Sequence, residues 1–171
     1  MTAPIRTQPL TPEGFAPYGV VLSGDRPDVK RRSANQGTAV RMDWMGDLQS
    51  LRPGARPNLC LFRCSPRLDW PMNVEILEKH HHSTQLLVPM NATRYVVLVA
   101  TGGDAPDLST LAAFLATTRQ GIAYAPGTWH HPLIALDHET DFGCVVWEDE
   151  SDGDNTLLTL APEDRRVVVL D

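Results

Sequence analysis

No apolar run in the 171 residues is long enough to cross a bilayer. The longest, Tyr95 to Ala100, falls far short of the roughly twenty residues that a spanning helix needs. The opening stretch from Met1 to Arg6 also lacks the apolar segment of a leader, so the expected setting is the cytoplasm, without membrane contact. Cysteine is scarce: Cys60, Cys64 and Cys144 make an odd count with no C-x-x-C pair. That spacing argues against a disulfide framework and a cysteine zinc site, and leaves the three as reduced packing residues. Positive charge is in deficit as well, with 15 Lys and Arg against 21 Asp and Glu, a net charge of −6. No basic face is available to neutralise a phosphate backbone, so nucleic acid is excluded as a partner. Internal repeats and low-complexity tracts are absent.

What is present suits one folded unit spanning residues 1–171. The hydrophobic fraction is 42% and the charged fraction 21%, close to globular averages and far from the composition of disordered chains. Fourteen prolines and twelve glycines are spread from end to end, which implies many short elements joined by tight turns. Period-2 alternation or a short apolar run predicts strands at Tyr18–Leu22, Thr38–Trp44, Asn58–Cys64, Val74–His80, Gln85–Pro89, Arg94–Ala100, Ala112–Ala116, Ile122–Tyr124, Pro132–Leu136, Asp141–Trp147 and Val167–Leu170. Thr11–Phe15 is predicted as a short helix with Thr11 as its cap and Pro12 in the first turn. So many strands and so little helix predict a mainly β barrel or sandwich.

Two segments carry chemistry. In Gly121 to Pro132 a strand, a Pro126-Gly127 turn and His130 at the start of the next strand would fix an imidazole on a barrel wall, a pattern similar to the second motif of cupins. About forty residues upstream stands Glu78-Lys79-His80-His81-His82-Ser83-Thr84-Gln85, where the first cupin motif would fall. Side chains alternate along a strand, so Glu78, His80 and His82 share one face while Lys79 and His81 share the other. Two imidazoles on one face could serve a metal. Gln85 stands near the usual cupin Glu, and Ile134 replaces the usual Asn of the second motif.

The chain as a whole resembles the ureidoglycolate lyase family of allantoin and purine breakdown. The resemblance rests on Leu77-Glu78-Lys79-His80, Thr84-Gln85, Pro89-Met90, Pro106 to Thr110, Gln120-Gly121, Trp129 to Leu133 and Asp141-Phe142, with Asn35 to Arg41 as an amino-terminal signature. It covers residues 10–149, and implies a cupin-like double-stranded β-helix with few short helices, a homodimer, and a carbon–nitrogen lyase that splits ureidoglycolate into glyoxylate and urea. It places His80, Gln85, His130 and His131 within shared motifs. His81 and His82 lie outside them, so His82 is a ligand candidate by its face alone.

That reaction needs a base for the hydroxyl proton, an acid for the departing urea nitrogen and an anchor for the carboxylate. His80 and His130 suit the proton roles, with Glu78 as base or as the group that orients an imidazole, and Lys79 as a further candidate. A divalent ion (nickel, manganese or zinc) held by His80, Gln85 and His130 could instead polarise the hydroxyl. Arg41 is the expected carboxylate anchor because its planar fork binds bidentately. Gln85, His131, Tyr124 and Trp129 would line the substrate. The acidic run Asp149 to Asp154 lacks the longer spacing of a calcium loop and is expected to be a solvated turn. The residues alone leave two alternatives open: hydrolysis of the same substrate with release of ammonia, and a non-catalytic cupin module that binds a small acid.

Overall fold

The computed structural model describes residues 3–171, so Met1 and Thr2, which begin the stretch read for a leader, lie outside the described residues. In chain order the strands are β1 (Ile5–Pro9), β2 (Gly19–Ser23), β3 (Lys30–Ala34), β4 (Ala39–Asp43), β5 (Arg56–Cys64) and β6 (Met72–Val74). They continue with β7 (Ile76–His80), β8 (Gln85–Pro89), β9 (Arg94–Ala100), β10 (Ala112–Thr117) and β11 (Gln120–Tyr124). The last five are β12 (Trp129–His130), β13 (Ile134–Ala135), β14 (Thr140–Glu148), β15 (Asn155–Thr159) and β16 (Arg166–Val169). The helix α1 (Pro12–Phe15) begins as expected, with the Thr11 hydroxyl accepting a hydrogen bond from the Gly14 N–H at 3.0 Å. No helix among the described residues is long and apolar enough to cross a membrane.

Three sheets form. One runs β15-β7-β12-β9-β10-β1-β16-β6 with β13 also on β9, the second runs β2-β11-β8-β14-β5, and β3 pairs only with β4. The strand β9 shows how the layers are built. Its sequence Arg-Tyr-Val-Val-Leu-Val-Ala is buried at every position after Arg94. Tyr95, Val97 and Val99 enter a core with Phe15, Phe114, Tyr124 and Phe142 between the two large sheets. Val96, Leu98 and Ala100 face the other way into a second core with Leu77, Trp129 and Leu160. An uninterrupted apolar run is what burial on both faces requires.

Several expected strands shift. The predicted segment Val74–His80 breaks at Glu75, because β6 pairs with β16 whereas β7 pairs with β12 and β15. Only Ile134–Ala135 of the predicted Pro132–Leu136 pairs with a neighbour. β1, β3 and β15 arise where no strand was predicted.

Candidate active site

Register assembles the site. Across β7 and β12, His130 stands opposite Glu78 and Trp129 opposite Lys79. The pleat therefore turns Glu78, His80 and His130 towards the space between the sheets and sends Lys79 and Trp129 to the second core. Across β11 and β8, Tyr124 stands opposite Gln85. The turn between β11 and β12 places Gly127 at φ +82°, a left-handed conformation that favours glycine. The Gly127 N–H donates to the His80 carbonyl at 2.7 Å, tying the two motif segments together.

These residues line one cavity of about 500 Å³. His130 in its wall is buried, and its ring is nearly parallel to those of Tyr124 and His80. The centroids are 4.1 Å from Tyr124 and 5.9 Å from His80, with interplanar angles of 17° and 15°. Nδ1 of His130 lies 3.0 Å from the Thr128 carbonyl, which can only accept, so Nδ1 carries the proton. That leaves Nε2 facing Glu78 Oε1 at 3.1 Å, close enough for a charge pair but off the line of a hydrogen bond. Gln85 Oε1 is buried in the same cavity with no hydrogen-bond partner.

The electrostatics separate the groups. Burial pushes the Glu78 carboxyl up, but contact with His130 and the charges of His80 and His131 outweigh it, and its pKa lies below the ordinary carboxylate value. His80 is lowered by burial and then by His130, against the opposing pull of Asp154 and Glu78. His131 is lowered too, chiefly by burial. Its Nδ1 donates to the Pro132 carbonyl at 2.7 Å, leaving Nε2 as an acceptor.

Two carboxylate–imidazole pairs result, of which the sequence suggested one. The second is Asp154, whose Oδ2 lies 3.5 Å from His80 Nδ1. Asp154 is buried, accepts the His82 N–H at 2.7 Å, and also accepts from the Ser83 hydroxyl. It belongs to the acidic run expected to be solvated, a reading that holds for Asp149 to Gly153 but not for Asp154. Arg52 is a charged lining residue that sequence reasoning also missed.

The structure does not bring every candidate together. Lys79 is buried on the outer side, where its Nζ donates to the Gly103 carbonyl at 2.8 Å and sits 4.6 Å above the Trp129 ring. Trp129 Nε1 donates to the same carbonyl at 3.2 Å. Lys79 and Trp129 therefore bind the turn at Gly103, and neither lines the cavity. Arg41 lies on the exposed β3–β4 hairpin and pairs with Asp43 at 2.5 Å. His82 is exposed, and only its backbone serves the site. His81 points away and contacts the Thr156 hydroxyl at 2.7 Å.

The expected metal ligands His80, Gln85 and His130 all line this cavity. Among the described residues no three His, Cys, Asp or Glu side chains converge as an ion requires. An imidazole presents its lone pair in the plane of its ring. Near-parallel rings with centroids 5.9 Å apart can still point both lone pairs at one ion, so His80 and His130 are the residues that would hold it.

A curled two-sheet wall with an acid–base cluster between its sheets defines a cupin-like β-barrel of the enzyme type. The solved dTDP sugar isomerase of Desulfovibrio desulfuricans G20 has the same fold, with a TM-score of 0.51 and 13% identity over 86% of this chain and 89% of that one. Within that class the family is specific. A model of the ureidoglycolate lyase family matches residues 2–167, and the chain belongs to that family. The ureidoglycolate lyase of Burkholderia mallei NCTC 10229 is 39% identical over 91% of this chain and 88% of its own length. That of Pseudomonas fluorescens SBW25 is 32% identical over 95% and 94%.

Proposed function

We propose that this protein cleaves ureidoglycolate into glyoxylate and urea. The observation that carries the reading is the Glu78–His130 contact of 3.1 Å beside the stacked His80 ring, inside one cavity of a chain that belongs to this family. The substrate is a hemiaminal: one carbon bears a hydroxyl, a carboxylate and a urea nitrogen. His80, kept neutral by burial, takes the hydroxyl proton. The electron pair of that O–H bond becomes the carbonyl of glyoxylate as the carbon–nitrogen bond breaks. The Glu78–His130 pair delivers its shared proton to the departing urea nitrogen, and the proton held by His80 restores the pair. Atoms and charge balance without water being consumed, which separates this reaction from release of ammonia.

Tyr124 holds the His130 ring in plane by stacking, and the Gln85 carbonyl oxygen is an acceptor for the N–H groups of the urea end. A divalent ion held by His80 and His130 would instead polarise the substrate hydroxyl. Elemental analysis of the purified protein tests for nickel, manganese or zinc. The decisive experiment is product analysis: equal urea and glyoxylate, formed well above the spontaneous rate, support the reading. Ammonia released in stoichiometric amount would replace it with hydrolysis, and binding without turnover would replace it with an acid-binding module.

The homodimer implied by the family has a surface that suits it. β5 is an edge strand, and it exposes 79% of Leu59, 51% of Leu61 and 44% of Phe62. Unpaired backbone and apolar side chains together favour pairing with a second copy, and sedimentation analysis measures it. Cytoplasmic residence accords with three free cysteines, two of which, Cys60 and Cys144, face each other across β5 and β14 without a bond. Cell fractionation tests that assignment.

A further inference from the structure

We propose that Arg52 is the carboxylate anchor of the cavity, gripping the acid end of a small 2-hydroxy acid through its Nε and Nη2 edge. Apart from histidines, Arg52 is the one cationic residue lining a cavity that also carries Glu78, Glu148, Asp152 and Asp154. An anionic ligand entering among four carboxyl groups needs a positive partner, and no other Arg or Lys lines that wall.

The guanidinium is held chiefly through Nη1, with one long bond from Nη2 and none from Nε. Nη1 donates to Asp149 at 2.9 Å and to the Ser151 hydroxyl at 3.3 Å. On the other edge Nη2 has a 3.5 Å contact with the Trp147 carbonyl, and the buried Nε has no partner among the described residues. This chain shows three times what that edge binds, first where Arg26 holds Asp28 through Nε and Nη2. Arg63 holds Asp141 through Nε at 2.8 Å and Nη2 at 3.0 Å. Arg94 holds Asp137 through the same two atoms at 3.1 and 2.6 Å. Parallel N–H groups match the two oxygens of a carboxylate in geometry as well as charge.

A second observation gives the ligand a direction. Gln85 is 6% exposed, and its Oε1 is a buried acceptor without a donor in the same cavity. A cation edge and an amide acceptor, with the Glu78–His130 pair also in the wall, select a molecule that is an acid at one end and carries N–H groups at the other. Arg52 thereby takes the role that the sequence suggested for Arg41.

The inference rests on the proposed reaction only for the identity of the acid, and a binding experiment tests it separately. The probes are glycolate, a 2-hydroxy monocarboxylate, and glycolamide, its neutral counterpart, titrated calorimetrically into the whole protein. The parent should prefer the acid by about ten- to a hundredfold, the worth of a charge-assisted contact. Arg52→Gln should erase that preference while leaving glycolamide binding within about threefold, and Arg52→Lys should restore only part of it because the fork is lost. Arg52 also secures the loop through Asp149, so Asp149→Asn is the control and should keep the preference. If Arg52→Gln fails to fold by circular dichroism, Arg52→Lys decides alone by a reduced acid preference. A parent that binds acid and amide alike, an Arg52 variant that keeps full preference, or an Asp149→Asn loss equal to that of Arg52→Gln would overturn the anchor. Absence of ureidoglycolate turnover in the parent would overturn the proposed reaction and leave the anchor standing.

Discussion

Replacing Glu78 by Gln changes one atom's chemistry at the centre of the site and almost nothing of its shape. In the parent, Oε1 stands 3.1 Å from His130 Nε2, and the proposed reaction has this pair carry the proton that the leaving group takes. The amide brings its own N–H groups. It can donate to Nε2 and so leaves a neutral imidazole with no proton to deliver. Loss of a positioned acid costs about 10²- to 10⁴-fold in rate, roughly 3 to 5 kcal/mol on the barrier. KM should change little, because the exchanged proton matters only as the carbon–nitrogen bond breaks. Glu78 is partly exposed at 20% of its side chain, so the melting temperature should move by only a few degrees. The assay is glyoxylate formation corrected for spontaneous decay, with circular dichroism to check the fold. Adding His130→Asn to Glu78→Gln should slow the enzyme hardly further than the worse single change, since the two act as a unit. A folded Glu78→Gln protein within threefold of the parent rate, or a double variant whose losses multiply, would refute the shared-proton argument.

His80 is lowered by burial, so as pH falls it stays neutral below the ordinary imidazole value of 6.5. The acid limb of kcat should therefore lie below pH 6.5, and a limb above 7 would contradict His80 as base. Asp154 is pushed up by burial but held below the usual carboxylate value of 3.8 by Ser83, the His82 N–H and His80. A lowered folded-state pKa stabilises above the unfolded value and is lost as pH falls through the folded one. Asp154→Asn should therefore flatten the fall in melting temperature below about pH 4. Arg41→Ala should leave KM for ureidoglycolate unchanged, since Arg41 is turned to Asp43 on a solvated hairpin, and a large rise in KM would return it to the site. Lys79→Met should lower thermal stability by about 1 to 3 kcal/mol through the lost bond to Gly103. It should keep kcat in the folded fraction, measured by activity at a temperature well below the melt.

The sequence carried the inner part of the site because that part is written in strand alternation. Glu78 and His80 against Lys79 and His81 is a parity statement, and parity alone already set Lys79 on the far side from His80. The pairings His130 with Glu78 and Tyr124 with Gln85 are matters of register, which one chain read linearly does not contain. Arg52 and Asp154 were missed for another reason. Arg52 precedes a Pro-Gly turn, and Asp154 closes an acidic run, so each looked like a charge facing water. The available signal for Asp154 was its place immediately before the alternating Asn155–Thr159, at the point where a chain enters a sheet. β15 itself went unseen because its alternation is short and leans on that run. β3 was illegible because Lys-Arg-Arg-Ser buries nothing: the strand pairs with β4 alone.

The strand β9 has a consequence for how this protein can change. Alternate residues of β9 belong to different cores, so enlarging one to widen the cavity from behind moves side chains in both layers at once, and close packing tolerates little of that. The edge strand β5 and the turn from Asp149 to Gly153 border the cavity without such double duty. Variation in which acid is accepted should therefore accumulate at that rim, through Cys60, Phe62, Cys64 and Asp152. A library randomised there should yield far more folded members than one randomised at Val97 and Val99, which face the core between the sheets.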